Sequence, residues 1–322
     1  MTIGEHLREL HGLPSFPFPG PDGAAGAALP DPASVAWRLS TDTYDAAEEW
    51  PELLARFTEA VDTTAVRALI VGAWSEAYDS SSEPIVAALV AARDRLPALR
   101  ALFIGDMTFD ECEISWITQS SLSPLLDAFP ELESFGARGG TGLAFPPVRH
   151  ARLRSLTVET GGLDSAVVRD IAASELPALT HLDLWLGSDE YGATTGLADL
   201  APILNGERFP LLRSLGLRDS VIQDQIAGAL ATAPVVARLE TLDLSLGILG
   251  DPGGRALLDG QPLTHLKKLD LHHHYLGDAV RDELVATLGA AGVEVDVSDP
   301  QTADADDTDE EGEAYRYVAV AE

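Results

Sequence analysis

The sequence predicts an α/β solenoid, and three observations predict it. A short apolar frame recurs along most of the chain, segments with helical spacing lie between its copies, and the two ends depart from the pattern as end caps do. The frame places apolar residues at offsets 0, 3 and 5. It fits Leu99, Leu102 and Ile104; Leu132, Phe135 and Ala137; Leu153, Leu156 and Val158; and Leu179, Leu182 and Leu184. It continues through Leu212, Leu215 and Leu217; Leu239, Leu242 and Leu244; and Leu266, Leu269 and Leu271. Val66, Leu69 and Val71 extend it upstream, and a weaker Ala290, Val293 and Val295 extends it downstream, so nine strands are expected. Leucines at alternating positions turn one set of side chains inward, and stacked strands then share a core that no single unit could bury alone.

The helical segments follow in order. Pro84 to Leu96, Ser165 to Ser174, Leu197 to Leu204, Gln223 to Ala231 and Asp278 to Leu288 carry apolar residues three or four apart. Between Gly139 and Val148, closely spaced glycines and the Pro146-Pro147 pair predict an extended crossing without a helix. At the start, a stretch with six prolines between Pro14 and Pro32 reads as an arm or loop, followed by a strand at Val35 to Leu39 and a helix at Ala46 to Val61. Near the end, Asp299 to Glu313 holds eight acids and no base, which predicts a solvated, mobile segment. Tyr315 to Ala321 regains strand composition and is expected to dock, with the free edge of the last repeat as its nearest template. The expected organisation is an N-terminal arm and cap over residues 1–64, a solenoid over 65–298, an acidic flexible segment over 299–313 and a docking strand over 314–322.

These units match the first six positions of L-x-x-L-x-L-x-x-N/C-x-L, so the chain resembles the leucine-rich repeat superfamily over roughly residues 66 to 297. Most of the spacings between units, 26 to 33 residues, resemble the ribonuclease-inhibitor type. That resemblance implies a curved parallel sheet on the concave side with helices on the convex side. Gly140, Gly161, Gly187, Ser220, Gly247 and His274, with Met107 in the first clear unit, stand where the superfamily places asparagine or cysteine. The asparagine ladder is therefore missing, and hydrogen bonds that staple the turns must come from elsewhere.

Composition narrows the function. Net charge is −31, and it stays at −23 without the acidic segment, which opposes binding to nucleic acid or anionic lipid. Cys112 is the single cysteine, which excludes an intrachain disulfide and a cysteine-ligated zinc. The opening residues lack the apolar core of a signal peptide and no apolar run reaches spanning length, so a cytoplasmic location is expected. No Walker loop, dinucleotide fingerprint, nucleophile elbow or H-E-x-x-H motif occurs, and no cofactor is expected.

Stacking turns each offset into a lateral row with neighbours about 4.8 Å apart. The offset-4 row reads Phe103, Gly136, Thr157, Asp183, Gly216, Asp243 and Asp270. Offset 6 reads Gly105, Arg138, Glu159, Trp185, Arg218, Ser245 and His272, and offset 2 ends in His181, Ser214, Thr241 and Lys268. The polar side chains gather in the C-terminal half, where Asp243 and Asp270 need a cation or a proton between them. The candidate binding residues are His181, Asp183, Trp185, Tyr191, Arg218, Asp243, Lys268, Asp270 and His272. Longer units insert Phe109–Ser120 and Ser188–Gly196 near the strand exits. Trp116 and Tyr191 could thereby join Trp185 as aromatic contacts, or Trp116 could pack in the core with Ile114 and Ile117.

Two function classes follow. A binding protein would present the concave C-terminal half to a protein or peptide, with no nucleic acid and no membrane as partner. A metal-dependent hydrolase would use Asp243, Asp270 and His272. The segments EHLRELHGLP, WLG, HHHYL and RYVAV also resemble an uncharacterised bacterial leucine-rich repeat family. Its members are encoded beside radical enzymes and an ATP-dependent ligase, and this resemblance implies a role accessory to a modification or biosynthetic pathway.

Overall fold

The computed structural model describes residues 3–21, 29–308 and 314–320. The chain forms two compact units, Thr2–Glu159 with Ala173–Leu179, and Thr160–Ala172 with Thr180–Ala321. The first contains β1 (Glu9–Leu10), β2 (Leu13–Pro17), β3 (Ala36–Leu39), α1 (Trp50–Ala60), β4 (Ala68–Val71), α2 (Glu83–Ala91), β5 (Ala101–Ile104), α3 (Ser123–Ala128), β6 (Ser134–Arg138) and β7 (Ser155–Glu159). Its strands lie side by side in chain order, β1 antiparallel to β2 and the rest parallel. Next come α4 (Ser165–Ala173), β8 (His181–Gly187), α5 (Leu197–Leu204), β9 (Ser214–Ser220), α6 (Gln223–Leu230) and β10 (Thr241–Asp243). They are followed by α7 (Asp251–Asp259), β11 (Lys268–Asp270), α8 (Asp278–Gly289) and β12 (Glu294–Asp296). Strands β8 to β12 are again parallel neighbours in chain order. Strand followed by helix, with each strand beside its predecessor, is a solenoid-like α/β arrangement.

The nine strands from β4 to β12 answer the nine copies of the frame. Register follows the offsets: Leu69 pairs with Leu102, Leu102 with Phe135, and Phe135 with Leu156. In the second unit Leu182, Leu215, Leu242 and Leu269 are in register. Leu182, Leu184, Leu215, Leu217, Leu242, Leu244, Leu269 and Leu271 are all completely buried, so the inward rows form the core.

Several expectations are corrected. The parallel ladder begins earlier than the frame does, because Phe16 of β2 pairs with Trp37 of β3 and Trp37 with Leu69. Prolines do not prevent β2: Pro14 stands opposite Glu9 of β1, and Ser15, Phe16 and Pro17 stand opposite Ala36, Trp37 and Arg38 of β3. Helices α3 and α7 were not foreseen: α7 opens with Pro252, Gly253 and Gly254, a poor helical composition. A β-carbon on Gly254 would collide with Leu276 and Val280, so close packing accounts for that glycine. In the last repeat Val295, not Val293, stands opposite Leu269. The frame there is displaced by two residues, which keeps the faces unchanged and brings Asp296 beside Asp270.

Within the acidic stretch, Asp304–Thr308 forms β13, antiparallel to β14 (Ala314–Tyr315). Residues 309–313 of that stretch lie outside the described residues. The chain beyond β14 avoids the edge of β12. Val318, Ala319 and Val320 are buried across the turns that follow β9, β10 and β11: Val320 N–H donates to Asp219, Ala319 N–H to the Leu246 carbonyl, and His273 Nε2 to the Tyr317 carbonyl. Asp219, Leu246 and His273 all have positive φ, a conformation that turns the chain sharply at the end of β9 and after β10 and β11.

Buried side chains of varied type bond to backbone carbonyls in or just beyond the strands. Gln119 donates to the Arg138 carbonyl, Thr160 to Trp185, Gln223 to Leu217, and His274 Nε2 to Val297. His274 Nδ1 accepts from Leu276 N–H, and burial pushes its titration down, so a neutral ring donates at one nitrogen and accepts at the other. Among the described residues no helix is long and apolar enough to cross a membrane.

Candidate functional site on the open face of the second unit

Alternation along β8 to β12 turns offsets 2, 4 and 6 to the open face. The offset-4 row is Asp183, Gly216, Asp243, Asp270 and Asp296, each in register with the next. Four carboxylates along one lateral row repel one another unless cations stand between them. Gly216 provides the gap that admits the first cation. A β-carbon there would strike the Asp183 carboxylate and crowd the Arg218 side chain.

Arg218, from offset 6 of β9, fills that gap. Its Nη1 is 3.4 Å from Asp183 and its Nε is 3.3 Å from Asp243 and 2.9 Å from Ser245 Oγ. The guanidinium lies 5.0 Å from the ring centre of Trp185. Trp185 faces the open side, as alternation requires, yet only 9% of it is exposed because Arg218 covers it. It is therefore a platform for Arg218, not a freely exposed aromatic contact.

Asp270 is satisfied from its own strand. Lys268 Nζ lies 2.9 Å from one carboxylate oxygen, and His272 Nδ1 donates to the other at 2.7 Å. Burial alone would raise its titration, but the hydrogen bonds from His272 and Lys268 hold it well below the usual carboxylate range. The same contacts push His272 and Lys268 up. Asp243, Asp270 and Asp296 share a local geometry in which the carboxylate accepts the backbone N–H two residues on, from Ser245, His272 and Ser298. Hydrogen bonds from Ser298 also lower Asp296. His181, half-buried at offset 2, is pushed down by burial, with Asp243 opposing. These directions leave a face of fixed negative groups with embedded cations.

The structure thus gathers His181, Asp183, Trp185, Arg218, Asp243, Lys268, Asp270 and His272 on one face. Tyr191 is not among them. It sits in the 3₁₀ turn Asp189–Tyr191, beyond the end of β8. Trp116 is not in the core: Ile114 and Ile117 are buried while Trp116 is 57% exposed, and it belongs to the first unit, whereas Trp185 belongs to the second. Sequence reasoning missed Asp296, because the two-residue displacement of the last frame hid its row.

Three ligand atoms from Asp270, His272 and Asp296 lie within 4.8 Å of one another. The donor set differs from the expected one, since Asp243 is turned to Arg218 and Ser245. Both oxygens of Asp270 already carry hydrogen bonds from cationic or imidazole donors, so these residues fit a metal ion poorly. His273 and His274 point elsewhere, to Tyr317 and Val297.

The first unit has its own ionic cluster, which sequence reasoning also passed over. Fully buried Asp106 accepts from Arg38 Nε at 2.8 Å, from Leu7 N–H at 3.0 Å and from Arg138 at 3.5 Å, and Arg138 Nε donates to Glu159 at 2.8 Å. Arg138 and Glu159 stand opposite in register at offset 6, the signal that could have revealed them. The open face beside this cluster is apolar. Ala36, Ala68, Ile70 and Ala101 are packed under Leu7, Leu10 and Leu13 of the N-terminal arm.

No protein-family model matches the sequence, and no curated protein matches it. Among solved structures, a protein from Bacteroides fragilis, whose crystal structure was determined as a target of the Northeast Structural Genomics Consortium, is 31% identical to this chain. The match covers 84% of this chain and 72% of that one, with a TM-score of 0.74.

Proposed function

The chain belongs to the same family as this Bacteroides fragilis protein, and from that premise we propose that it is a leucine-rich repeat protein of the ribonuclease-inhibitor-like type that binds a protein or peptide on its concave face. The reading is of a non-enzymatic, cytoplasmic partner-binding protein, accessory to a modification or biosynthetic pathway. One observation carries it: the open face of β8 to β12 presents registered polar rows, whereas the open face of β3 to β5 is closed by the chain's own Leu7, Leu10 and Leu13. An extended partner crossing the strands would meet His181, Thr241 and Lys268 at offset 2, and the Asp183 to Asp296 row with Arg218 beside it. Fixed charges of both signs favour specificity and encounter rate over raw affinity.

The test is affinity capture from the native cell extract, followed by calorimetry with the captured partner. Wild-type protein should bind, and Asp243→Asn with Asp270→Asn should weaken binding at least about tenfold, near 1.4 kcal/mol. Undiminished affinity would refute the assignment to this face. The hydrolase reading on Asp243, Asp270 and His272 would be favoured instead by stoichiometric metal in the purified protein that is lost in Asp270→Asn.

A further inference from the structure

We infer that the strand-exit loops of the first unit form a second docking surface, which takes a polypeptide segment of a partner carrying arginine or lysine among apolar side chains. Four aromatic residues are exposed together there: Tyr44 at 64%, Tyr78 at 45%, Phe109 at 42% and Trp116 at 57%. They line one open groove, with Asp110 and Glu113 in its wall. Isolated exposed apolar residues need no explanation, but a contiguous aromatic set with a polar rim marks an interaction site.

The aromatics are held outward by ordered backbone. Glu76 N–H donates to the Thr43 carbonyl beside Tyr44, and Thr118 N–H donates to the Ala77 carbonyl beside Tyr78. Trp116 ends the 3₁₀ turn Ile114–Trp116, whose flanking Ile114 and Ile117 are buried. Tyr44 and Tyr78 pack against each other, with ring centres 6.3 Å apart and planes tilted by 40°, which holds both rings in place at the groove. The site is thus formed before any partner arrives, which reduces the ordering cost of binding.

Charge decides the occupant. Asp110 and Glu113 line the groove, and Glu76 and Asp79 flank Tyr78 closely enough to push its phenol titration up, Glu76 most strongly. No lysine or arginine is among the lining residues described. Arg38 and His6, the basic side chains near Glu111, are engaged with it, and Arg38 also with Asp106. Ring faces under negative potential attract guanidinium and ammonium groups. A second copy of a chain with net charge −31 would be repelled, as would an anionic membrane. The surface lies in the other unit from the Arg218 rows and does not depend on the reading of that face.

The probe is a short synthetic peptide alternating arginine with leucine, carrying a fluorophore, titrated with the full chain at physiological ionic strength. Saturable binding is expected, weakened at least about tenfold by Tyr78→Ala and by Trp116→Ala, which leave the charge unchanged. Both residues are exposed, so an unchanged thermal transition should accompany the loss. A peptide with glutamate in place of arginine should not bind, and Arg218→Met should bind the arginine peptide as wild type does. Trp37, Trp50, Trp74 and Trp185 are all 9% exposed or less, so Trp116 emission reports on the groove and should shift on binding. Wild-type affinity in both aromatic variants would overturn the proposal, because the attraction would then be generic. A Trp116 shift that grows with protein concentration alone would overturn it in favour of a second copy.

Discussion

Arg218 stacks over Trp185 with its guanidinium 5.0 Å from the ring centre, and from that platform its Nε reaches Asp243 at 3.3 Å. One residue thereby separates two carboxylates and covers an indole. Arg218→Glu would place a third carboxylate between Asp183 and Asp243, so it should cost about 1–3 kcal/mol of stability. Arg218→Met keeps the packing over Trp185 and should lose less. Urea unfolding of both variants checks the order; equal losses would mean that packing alone matters.

The inward and outward rows should respond differently to truncation. Leu184 is fully buried, and Leu184→Ala should cost about 2–5 kcal/mol through the cavity it leaves. Thr241, half-buried on the open face, should lose about 0.5 kcal/mol or less as Thr241→Ala. Denaturant midpoints with unchanged slopes would confirm the contrast, and a reversed order would place the leucines on the wrong face.

The open face should be pH-sensitive through Asp270 and His272. The His272 titration is raised in the fold, so its contribution is fully present below the unfolded value of about 6.5 and is lost as pH rises through the raised folded value. Asp270 is lowered, so its contribution is present above about 3.9 and is lost as pH falls through the depressed folded value. The pair is therefore strongest from about pH 4 to about 6.5. Histidine NMR should find His272 titrating above His181, which burial pushes down. The opposite order would contradict the pairing.

The C-terminal residues should stabilise the second unit. Ending the chain after Tyr317 removes Val318 and Val320, both buried, together with the bonds to Asp219 and Leu246. The expected loss is about 3 kcal/mol or more. A thermal transition unmoved by this truncation would show that the docked segment contributes nothing.

Much of this was legible because the leucine frame has a period that fixes both register and face. Once Leu215 and Leu242 are aligned, Gly216 and Asp243 must be neighbours, and the open-face rows follow. Legibility failed where local composition contradicts tertiary packing. Gly253 and Gly254 hid α7, whose neighbours demand small residues, and Pro14 and Pro17 hid β2. Asp296 was lost because Val293 and Val295 offer the frame two positions two residues apart. The covering of Trp185 by Arg218 was beyond reach, since row neighbours give adjacency but not which side chain lies over the other.

Position-specific photocrosslinking tests the central claim most directly. A photoreactive residue at Thr241, on the open face of β10, is compared with one at Arg255, exposed on α7. With the captured partner bound, Thr241 should crosslink to it and Arg255 should not. Crosslinking from Arg255 alone would contradict the assignment of the open face as the binding surface.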